Sequence, residues 1–180
     1  MVYVFLANGF EESEALVPVD MLRRAKIDVT TVGVTGKVVT SSHKIPVTAD
    51  ITIDEFKNGN DVEMVVLPGG MPGTLNLEAD STVQSAIDYA NENGKFIAAI
   101  CAAPSILGHK GLLNGKKAIS YTGFEKELKG AEIATDEGVV QDGKFITARG
   151  AGVATQFGFK LVEVLKGIET SEAVKAAILW

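Results

Sequence analysis

The amino-acid sequence predicts a doubly wound α/β sandwich with a mostly parallel central sheet and helices on both faces. Apolar, β-branched segments alternate along the chain with segments of helical periodicity, and residues 2–7 form a near-continuous apolar run. Strands that alternate with helices pair in parallel through right-handed crossovers, and a strand buried on both faces is apolar throughout. A length of 180 residues suits one domain, predicted over residues 1–180, better than two.

In the first half of the chain, predicted strands surround one amphipathic helix. Residues 2–7 form a strand, and residues 12–25 follow as a helix with an apolar stripe. Residues 28–34 are a second β-branched strand, and residues 36–48 predict a hairpin appended to the sheet. Residues 61–67 are another buried strand, which ends at a proline and two glycines.

The second half of the chain continues the alternation. Residues 80–93 have a helical pattern, and residues 95–100 return to a strand that leads directly into Cys101. A helix follows over residues 102–109, with Pro104 tolerated in its first turn. The remaining predicted elements are a strand at 117–122, a hairpin at 137–148 and two closing helices at 152–166 and 171–179.

Ligands of such a fold collect beyond the carboxyl ends of the parallel strands, near the point where the strand order reverses. Four turns are therefore the first places to look for functional residues. They are residues 8–14, 68–73, 101–104 and 121–124.

Composition narrows the class of protein. Hydrophobic residues make up 46% and charged residues 22% of the chain, as in a compact protein with a proper core. The net charge of −6 repels phosphate backbones, so no nucleic-acid partner is expected. No apolar run approaches the length of a membrane span, and the apolar start lacks the positive segment of a signal peptide. A single cysteine agrees with a reducing compartment, so we expect a cytoplasmic protein with no membrane partner.

Cys101 is the first candidate for chemistry. It stands between an apolar strand and the small residues Ala102 and Ala103, so a sharp strand-to-helix turn would direct its sulfur out of the sheet. Amide donors and the positive end of a helix dipole favour thiolate over thiol at such a turn, as in the nucleophile elbow of hydrolases. A buried structural cysteine is the competing interpretation, and the local pattern favours neither.

Three glutamates follow the first strand at a neighbouring turn, Glu11, Glu12 and Glu14. A charged carboxylate beside Cys101 would raise the pKa of the thiol, whereas a protonated carboxyl group would donate a hydrogen bond to the thiolate. A useful carboxyl group must therefore be desolvated, with its own pKa raised. Acidic residues in the first turn of a helix usually only complement the helix dipole. We expect this structural role for at least two of the three glutamates.

Two glycine-containing turns offer backbone amides. Gly69 and Gly70 follow a buried strand, and paired glycines let amides approach a ligand closely, although Pro-Gly-Gly is also an ordinary turn. Arg149 and Gly150 precede a long helix, where the amides or the guanidinium would contact an anion. A structural arginine at a glycine-rich helix entry is the alternative. There is no nucleotide-binding fingerprint.

The two histidines argue against Cys-His chemistry. His109 lies eight residues beyond Cys101, which is roughly 12 Å along a helix at 1.5 Å per residue. His43 lies in the predicted hairpin, from which it would reach Cys101 only across a subunit interface or through unusual folding. One cysteine and two scattered histidines also lack zinc-ligand spacing, so neither a metal nor another cofactor is expected.

Four segments of the sequence resemble the DJ-1/PfpI superfamily. Residues 7–14 (ANGFEESE) are similar to the glutamate segment of its DJ-1-like branch, and residues 65–70 (VVLPGG) to its glycine turn. Residues 98–104 (AAICAAP) resemble its cysteine elbow, and residues 147–150 (TARG) its late strand end. The segments occur in the family's order and, with the elements between them, span essentially the whole chain.

The resemblance implies a flavodoxin-like fold and a homodimer. It identifies Cys101 as a reactive, oxidation-sensitive thiol and Glu14 as its protonated hydrogen-bond partner. Backbone amides of Gly69, Gly70 and Ala102 would then surround the sulfur or a bound oxyanion.

The sequence departs from the family at two positions. Many DJ-1-like proteins carry a histidine at the position of Tyr121, and PfpI-type proteases carry one at the position of Ala102. A tyrosine could still donate a hydrogen bond, so Tyr121 remains a candidate site residue. The protease and glutaminase readings are weakened, because both require a Cys-His pair.

Three functions are therefore compared. The first is glyoxalase or deglycase chemistry on methylglyoxal and its adducts, with a small aldehyde or glycated molecule as substrate. The second is an oxidative-stress sensor or chaperone that acts through Cys101 oxidation. An intracellular protease is third.

Overall fold

A computed structural model describes residues 1–180, and its elements follow the predicted alternation. The strands are β1 (Val2–Leu6), β2 (Val29–Gly33), β3 (Val38–Thr40), β4 (Pro46–Thr48), β5 (Ile51–Thr52), β6 (Met64–Leu67), β7 (Phe96–Ile100), β8 (Lys117–Ala118), β9 (Glu132–Ile133), β10 (Val139–Asp142) and β11 (Phe145–Ala148). The α-helices are α1 (Glu12–Arg24), α2 (Gly73–Ala79), α3 (Ser81–Glu92), α4 (Pro104–His109), α5 (Ala154–Lys166) and α6 (Ile168–Ala177). A 3₁₀ turn, Ala151–Val153, precedes α5.

The main sheet has seven strands in the order β10-β11-β7-β6-β1-β2-β5. Every neighbouring pair is parallel except β10 and β11, which form the antiparallel hairpin. The chain leaves β1 toward β2 on one side and later adds β6 on the other side. The strand order therefore reverses beside β1, and the predicted flavodoxin-like α/β class is confirmed.

Two hydrophobic layers cover the sheet. Along β1, Val2, Val4 and Leu6 face one layer, whereas Phe5 faces the other. Alternate strand residues point to opposite faces, so a strand that is apolar throughout needs a cover on both sides. The first layer contains α1, α5 and α6, and the second contains α2, α3 and α4.

The close packing of α1 against α5 depends on one glycine. A Cβ on Gly158 would lie 2.8 Å from Met21 Cγ and 3.2 Å from Pro18 Cα. The two helices therefore approach closely at the middle of α1.

Several predicted elements differ from the structure. The predicted hairpin is present as β3 and β4, but it forms a separate two-stranded sheet and is not appended to the main one. The predicted strand at 117–122 is reduced to β8, which pairs with β9, because Ile119 N–H donates to the Thr147 side chain at the sheet surface. Helix α2 and the two-residue β5 were not predicted. No α-helix has the length and apolar character needed to cross a bilayer.

Candidate active site

The candidate site lies where three neighbouring strands end. Strands β7, β6 and β1 are adjacent in the sheet and parallel, so their carboxyl ends share one edge. Cys101 follows β7, Gly69 follows β6, and the turn that leads to Glu14 follows β1. Because β6 is the middle strand, Gly69 lies between Cys101 and Glu14.

Cys101 occupies a strained turn. Its φ angle is 66°, a left-handed conformation that costs a residue with a side chain about 1–3 kcal/mol. Its N–H donates to Ala148 O at 2.8 Å, and its carbonyl accepts from Tyr121 N–H at 2.8 Å. The sharp turn between β7 and α4 is thus held from both sides, and it leaves the thiol partly exposed.

Glu14 is almost completely buried at this edge. Its side chain belongs to a residue only 1% exposed, and its Oε2 accepts a hydrogen bond of 3.0 Å from Gly69 N–H. Burial raises the pKa of Glu14 to about 7, and the nearby charge of Glu11 acts in the same direction. Hydrogen bonds from Cys101 and from the amides of Gly69 and Ala151 lower the pKa and only partly compensate. Glu14 therefore titrates near neutrality, as general acids and bases commonly do.

The thiol is not acidified as the helix-dipole argument predicted. Burial, the charge of Glu14 and the hydrogen bond to Glu14 together raise the pKa of Cys101 to about 12. The amides of Gly70 and Ala102 act in the opposite direction. Helix α4 has only six residues and begins three positions after Cys101, so its dipole is weak. A thiolate beside an ionised Glu14 is thus disfavoured: near neutral pH the thiol keeps its proton, and Glu14 is the group of the pair that gains and loses one.

Gly69 allows the carboxyl group and the thiol to meet. A Cβ at this position would lie 2.6 Å from both Cys101 Cβ and Glu14 Oε2. Its amide is already donated to Glu14, which differs from the predicted contact with the sulfur. The amides that act on the sulfur belong to Gly70, whose φ is 90°, and to Ala102.

Tyr121, Arg149 and Gly150 line the adjoining surface. Tyr121 is 54% exposed, and a Cβ on Gly150 would lie 3.4 Å from Tyr121 Cδ2 and 3.8 Å from Glu14 Oε1. Arg149 donates from Nη2 to Thr135 O at 2.6 Å. The structure therefore brings Gly150 and the Tyr121 ring close to Glu14, although the Tyr121 hydroxyl makes no hydrogen bond with Glu14 or Cys101.

Glu11 and Glu12 face a different partner. His43 Nδ1 lies 2.9 Å from Glu12 Oε1 and 3.5 Å from Glu11 Oε2. Glu11 also accepts hydrogen bonds from the hydroxyls of Ser13 and Ser42. The donor atoms of Glu11, Glu12 and His43 lie within 4.8 Å of one another, which is close enough to surround a cation.

This cluster was not predicted, because the spacing of the residues in the sequence does not show that His43 lies close to the start of α1. The close approach comes from the turn of the β3–β4 hairpin, where Ser42 N–H donates to Phe10 O at 2.8 Å. His43 therefore reaches the start of α1 within its own chain. Its contacts are with Glu11 and Glu12, and not with Cys101.

His109 lies elsewhere, as its position along α4 predicts. Its two ring nitrogens contact Glu78 and Glu127, and the hydrogen bonds to Glu78 and then to Glu127 raise its pKa. Neither histidine touches the thiol, and the side chain that hydrogen-bonds to it is that of Glu14.

Comparison with known proteins agrees with the geometry. Residues 1–164 match the DJ-1/PfpI family. Protein DJ-1alpha of Drosophila melanogaster is 37% identical over 179 residues, which cover 98% of this chain and 82% of that protein. The glutathione-independent glyoxalase DJR-1.2 of Caenorhabditis elegans is 29% identical over 164 residues, or 91% of this chain and 87% of that protein. The structure of oxidized DJ-1 from Toxoplasma gondii has a TM-score of 0.91 and 32% identity, and the match covers 99% of this chain and 97% of that one.

Proposed function

Because the chain belongs to the DJ-1/PfpI family, we propose that it is a cysteine-dependent enzyme of the glyoxalase or deglycase type that acts on methylglyoxal and its early adducts. The observation that carries this proposal is the buried Glu14, whose pKa is raised to about 7 by burial, in hydrogen-bond contact with the Cys101 thiol. A group that titrates near neutrality can both accept and return a proton. The similarity to a glyoxalase of Caenorhabditis elegans supports this class of reaction.

The first step forms a hemithioacetal. The thiol proton passes to Glu14 as the Cys101 sulfur attacks the aldehyde carbon, and Glu14 then returns this proton to the aldehyde oxygen. No thiolate has to accumulate, because the proton leaves as the bond forms. Amides of Gly70 and Ala102, which already act on the sulfur, are placed to stabilise the transient negative oxygen.

The second step moves hydrogen between adjacent carbons. Glu14 removes the proton from the former aldehyde carbon and delivers it to the neighbouring ketone carbon, while the hydroxyl proton moves to the ketone oxygen. The product is a lactoyl thioester of Cys101. Water then cleaves the thioester, releases lactate and restores the thiol.

The direct test is lactate production from methylglyoxal by a Cys101→Ala variant. We expect activity to fall to the background level, because the covalent intermediate cannot form. Circular dichroism and the thermal midpoint confirm that the variant is folded. A folded variant that produces lactate at the wild-type rate would refute the proposal.

An oxidative-stress sensor is the second candidate, favoured by the same contacts. If Glu14 takes up the thiol proton as the sulfur attacks, peroxide converts the partly exposed thiol to a sulfenic acid and, with a second equivalent, to a sulfinic acid. A protonated Glu14 can donate a hydrogen bond to the sulfinate, and the amides of Gly70 and Ala102 can bind its other oxygen. A related protein from Toxoplasma gondii is known in an oxidized form, and a chaperone role would be a consequence of such oxidation.

Mass spectrometry after mild peroxide treatment tests this candidate. We expect stable addition of two oxygen atoms at Cys101 in the wild type and further oxidation in a Glu14→Gln variant, which lacks the carboxylic acid donor. Equal products in the two proteins would show that Glu14 does not stabilise the sulfinate. The protease function gains no support, because neither histidine contacts Cys101.

We also propose that the chain forms a homodimer through the side that carries α1 and the β3–β4 hairpin. Leu16, Val38 and Ile45 are exposed there by 36%, 56% and 47%, and exposed apolar side chains of this size are common at interfaces. Light scattering should give twice the chain mass for the wild type and a lower mass for Ile45→Glu. A monomeric wild-type protein would contradict the proposal.

A further inference from the structure

A cavity of about 340 Å³ adjoins the Cys-Glu pair. It is lined by Tyr121, Thr122 and residues 149–153, and small-molecule sites are concave spaces of this order of size. The cavity and the reactive pair share a wall, because Gly150 lies against both Tyr121 and the Glu14 carboxyl group. The Cys101 carbonyl is also hydrogen-bonded to Tyr121 N–H.

Arg149 is the only charged residue in the cavity wall. It is also the only one of the chain's three arginines without a carboxylate partner, since Arg23 pairs with Asp50 and Arg24 with Asp20. Its single recorded hydrogen bond, from Nη2 to Thr135 O, holds the guanidinium in place. A guanidinium has five N–H donors, so donors remain for a ligand.

The charges around the cavity are mostly negative, so the positive charge of Arg149 determines whether an anion can bind there. The chain carries a net charge of −6, and Glu11, Glu12 and Glu14 all lie at the start of the adjacent helix. An anion near Cys101 would be repelled by these carboxylates unless a cation opposed them. The hydroxyl groups of Tyr121 and Thr122 make no recorded hydrogen bond and add further donors to the same cavity.

We propose that Arg149 binds a carboxylate carried by the molecule that reacts at Cys101, so that the preferred substrates are aldehydes or 2-oxoaldehydes with a carboxylate group. This proposal rests on the proposed function, because it takes the molecule that reacts at Cys101 to be a substrate. The cavity would bind the end of that substrate that does not react with the thiol. A planar guanidinium pairs with a carboxylate through two parallel hydrogen bonds.

The test compares two alkylating agents of similar shape at Cys101, iodoacetate and iodoacetamide. In both cases the sulfur displaces iodide and forms one S–C bond, so only the charge of the attached group differs. The rates are measured for wild type, Arg149→Gln and Arg149→Lys, with Arg24→Gln as the control for the loss of a remote arginine.

We expect the ratio of the iodoacetate rate to the iodoacetamide rate to fall by about two- to fivefold in Arg149→Gln, because Arg149 is exposed and an exposed ion pair contributes up to about 1 kcal/mol. In Arg149→Lys the ratio should lie between those of the wild type and Arg149→Gln, since the positive charge remains but the bidentate hydrogen bonding is lost. Arg24→Gln should keep the wild-type ratio. Equal ratios in wild type and Arg149→Gln would overturn the proposal.

This outcome is independent of the glyoxalase chemistry. Alkylation needs only the thiol, so a changed ratio would stand even if Cys101→Ala still produced lactate. An unchanged ratio would refute the carboxylate site and leave the proposed reaction intact. Lactate and lactamide provide a second measurement, because lactate should protect Cys101 from iodoacetamide better than lactamide does, and only while Arg149 is present. Equal protection by both would also count against the site.

Discussion

Glu12 and Glu14 begin the same helix two residues apart, yet their environments differ in every respect. The Glu12 side chain is 19% exposed and lies 2.9 Å from His43, whereas Glu14 is 1% exposed and accepts from Gly69 N–H. An α-helix turns about 100° per residue, so positions two apart point to widely separated directions. One carboxyl group faces the hairpin and solvent, and the other faces the edge of the sheet.

Burial, more than the local density of acids, raises the pKa of the Glu14 carboxyl group. Glu11, Glu12 and Glu14 have the same intrinsic chemistry, but only Glu14 is inserted between strand ends, where water cannot stabilise its charge. Glu11 affects Glu14 from outside this place, since its charge contributes to the raised pKa of Glu14. Four experiments test this difference between the glutamates.

Replacing Glu14 should have the largest effect. In Glu14→Gln the amide cannot accept the thiol proton and return it, so we expect lactate production from methylglyoxal to fall by roughly 100- to 10,000-fold, the usual contribution of general acid–base catalysis. The matched variant Glu12→Gln, at the same helix start, should retain activity within about threefold. Comparable losses in the two variants would contradict the distinction between the two glutamates.

Gly69→Ala should also impair the site strongly. The added Cβ would lie 2.6 Å from both Cys101 Cβ and Glu14 Oε2, so one of the two groups must move. A displacement of about 1 Å commonly costs two orders of magnitude in rate, which sets the expected loss. Gly94→Ala is the control, because Gly94 has a φ of 67° with open space around it and should lose stability without losing activity. Wild-type activity in Gly69→Ala would show that the close approach is unimportant.

The free energy of unfolding should depend on pH, because the folded protein holds a proton on the buried Glu14 carboxyl group. The pKa of Glu14 is raised by burial from its ordinary value of 4.5 to about 7, so between these values the folded protein binds more protons than the unfolded chain. Stability must therefore decrease as the pH rises through this window. We expect the wild type to lose up to about 3 kcal/mol relative to Glu14→Gln between pH 4.5 and pH 7.5. Urea unfolding of both proteins measures this, and parallel curves would refute it.

His43→Gln should have the smallest effect. Its side chain is 68% exposed, and exposed ion pairs contribute about 0–1 kcal/mol. We expect a change in unfolding free energy below about 1 kcal/mol and nearly normal activity. A large loss of activity would mean that the cluster of Glu11, Glu12 and His43 takes part in the reaction.

Much of the fold was predictable because its strands carry a strong signal. Runs such as residues 2–7 and 95–100 are apolar throughout, and the helices between them have clear stripes. Helix α2 was missed because it begins at a glycine after a proline and has no side-chain cap. Strand β5 has two residues, which is too short for any periodicity.

The candidate site was only partly predictable. The elbow at Cys101 follows from a strand that ends in small residues, but the choice of Glu14 among three glutamates depended on resemblance to a family. The raised pKa of the thiol and the use of the Gly69 amide by Glu14 depend on which groups meet after folding. No spacing in the sequence encodes those contacts, nor the approach of His43 to the start of α1.

The left-handed turn at Cys101 has an evolutionary consequence. With a φ of 66°, this position would be occupied more comfortably by glycine, which has no preference against such a conformation. A lineage that no longer needed the thiol would gain stability by mutating it, because selection for folding alone favours the relaxed backbone. If relatives of this chain keep a cysteine at this turn, a use of the thiol explains it better than folding does.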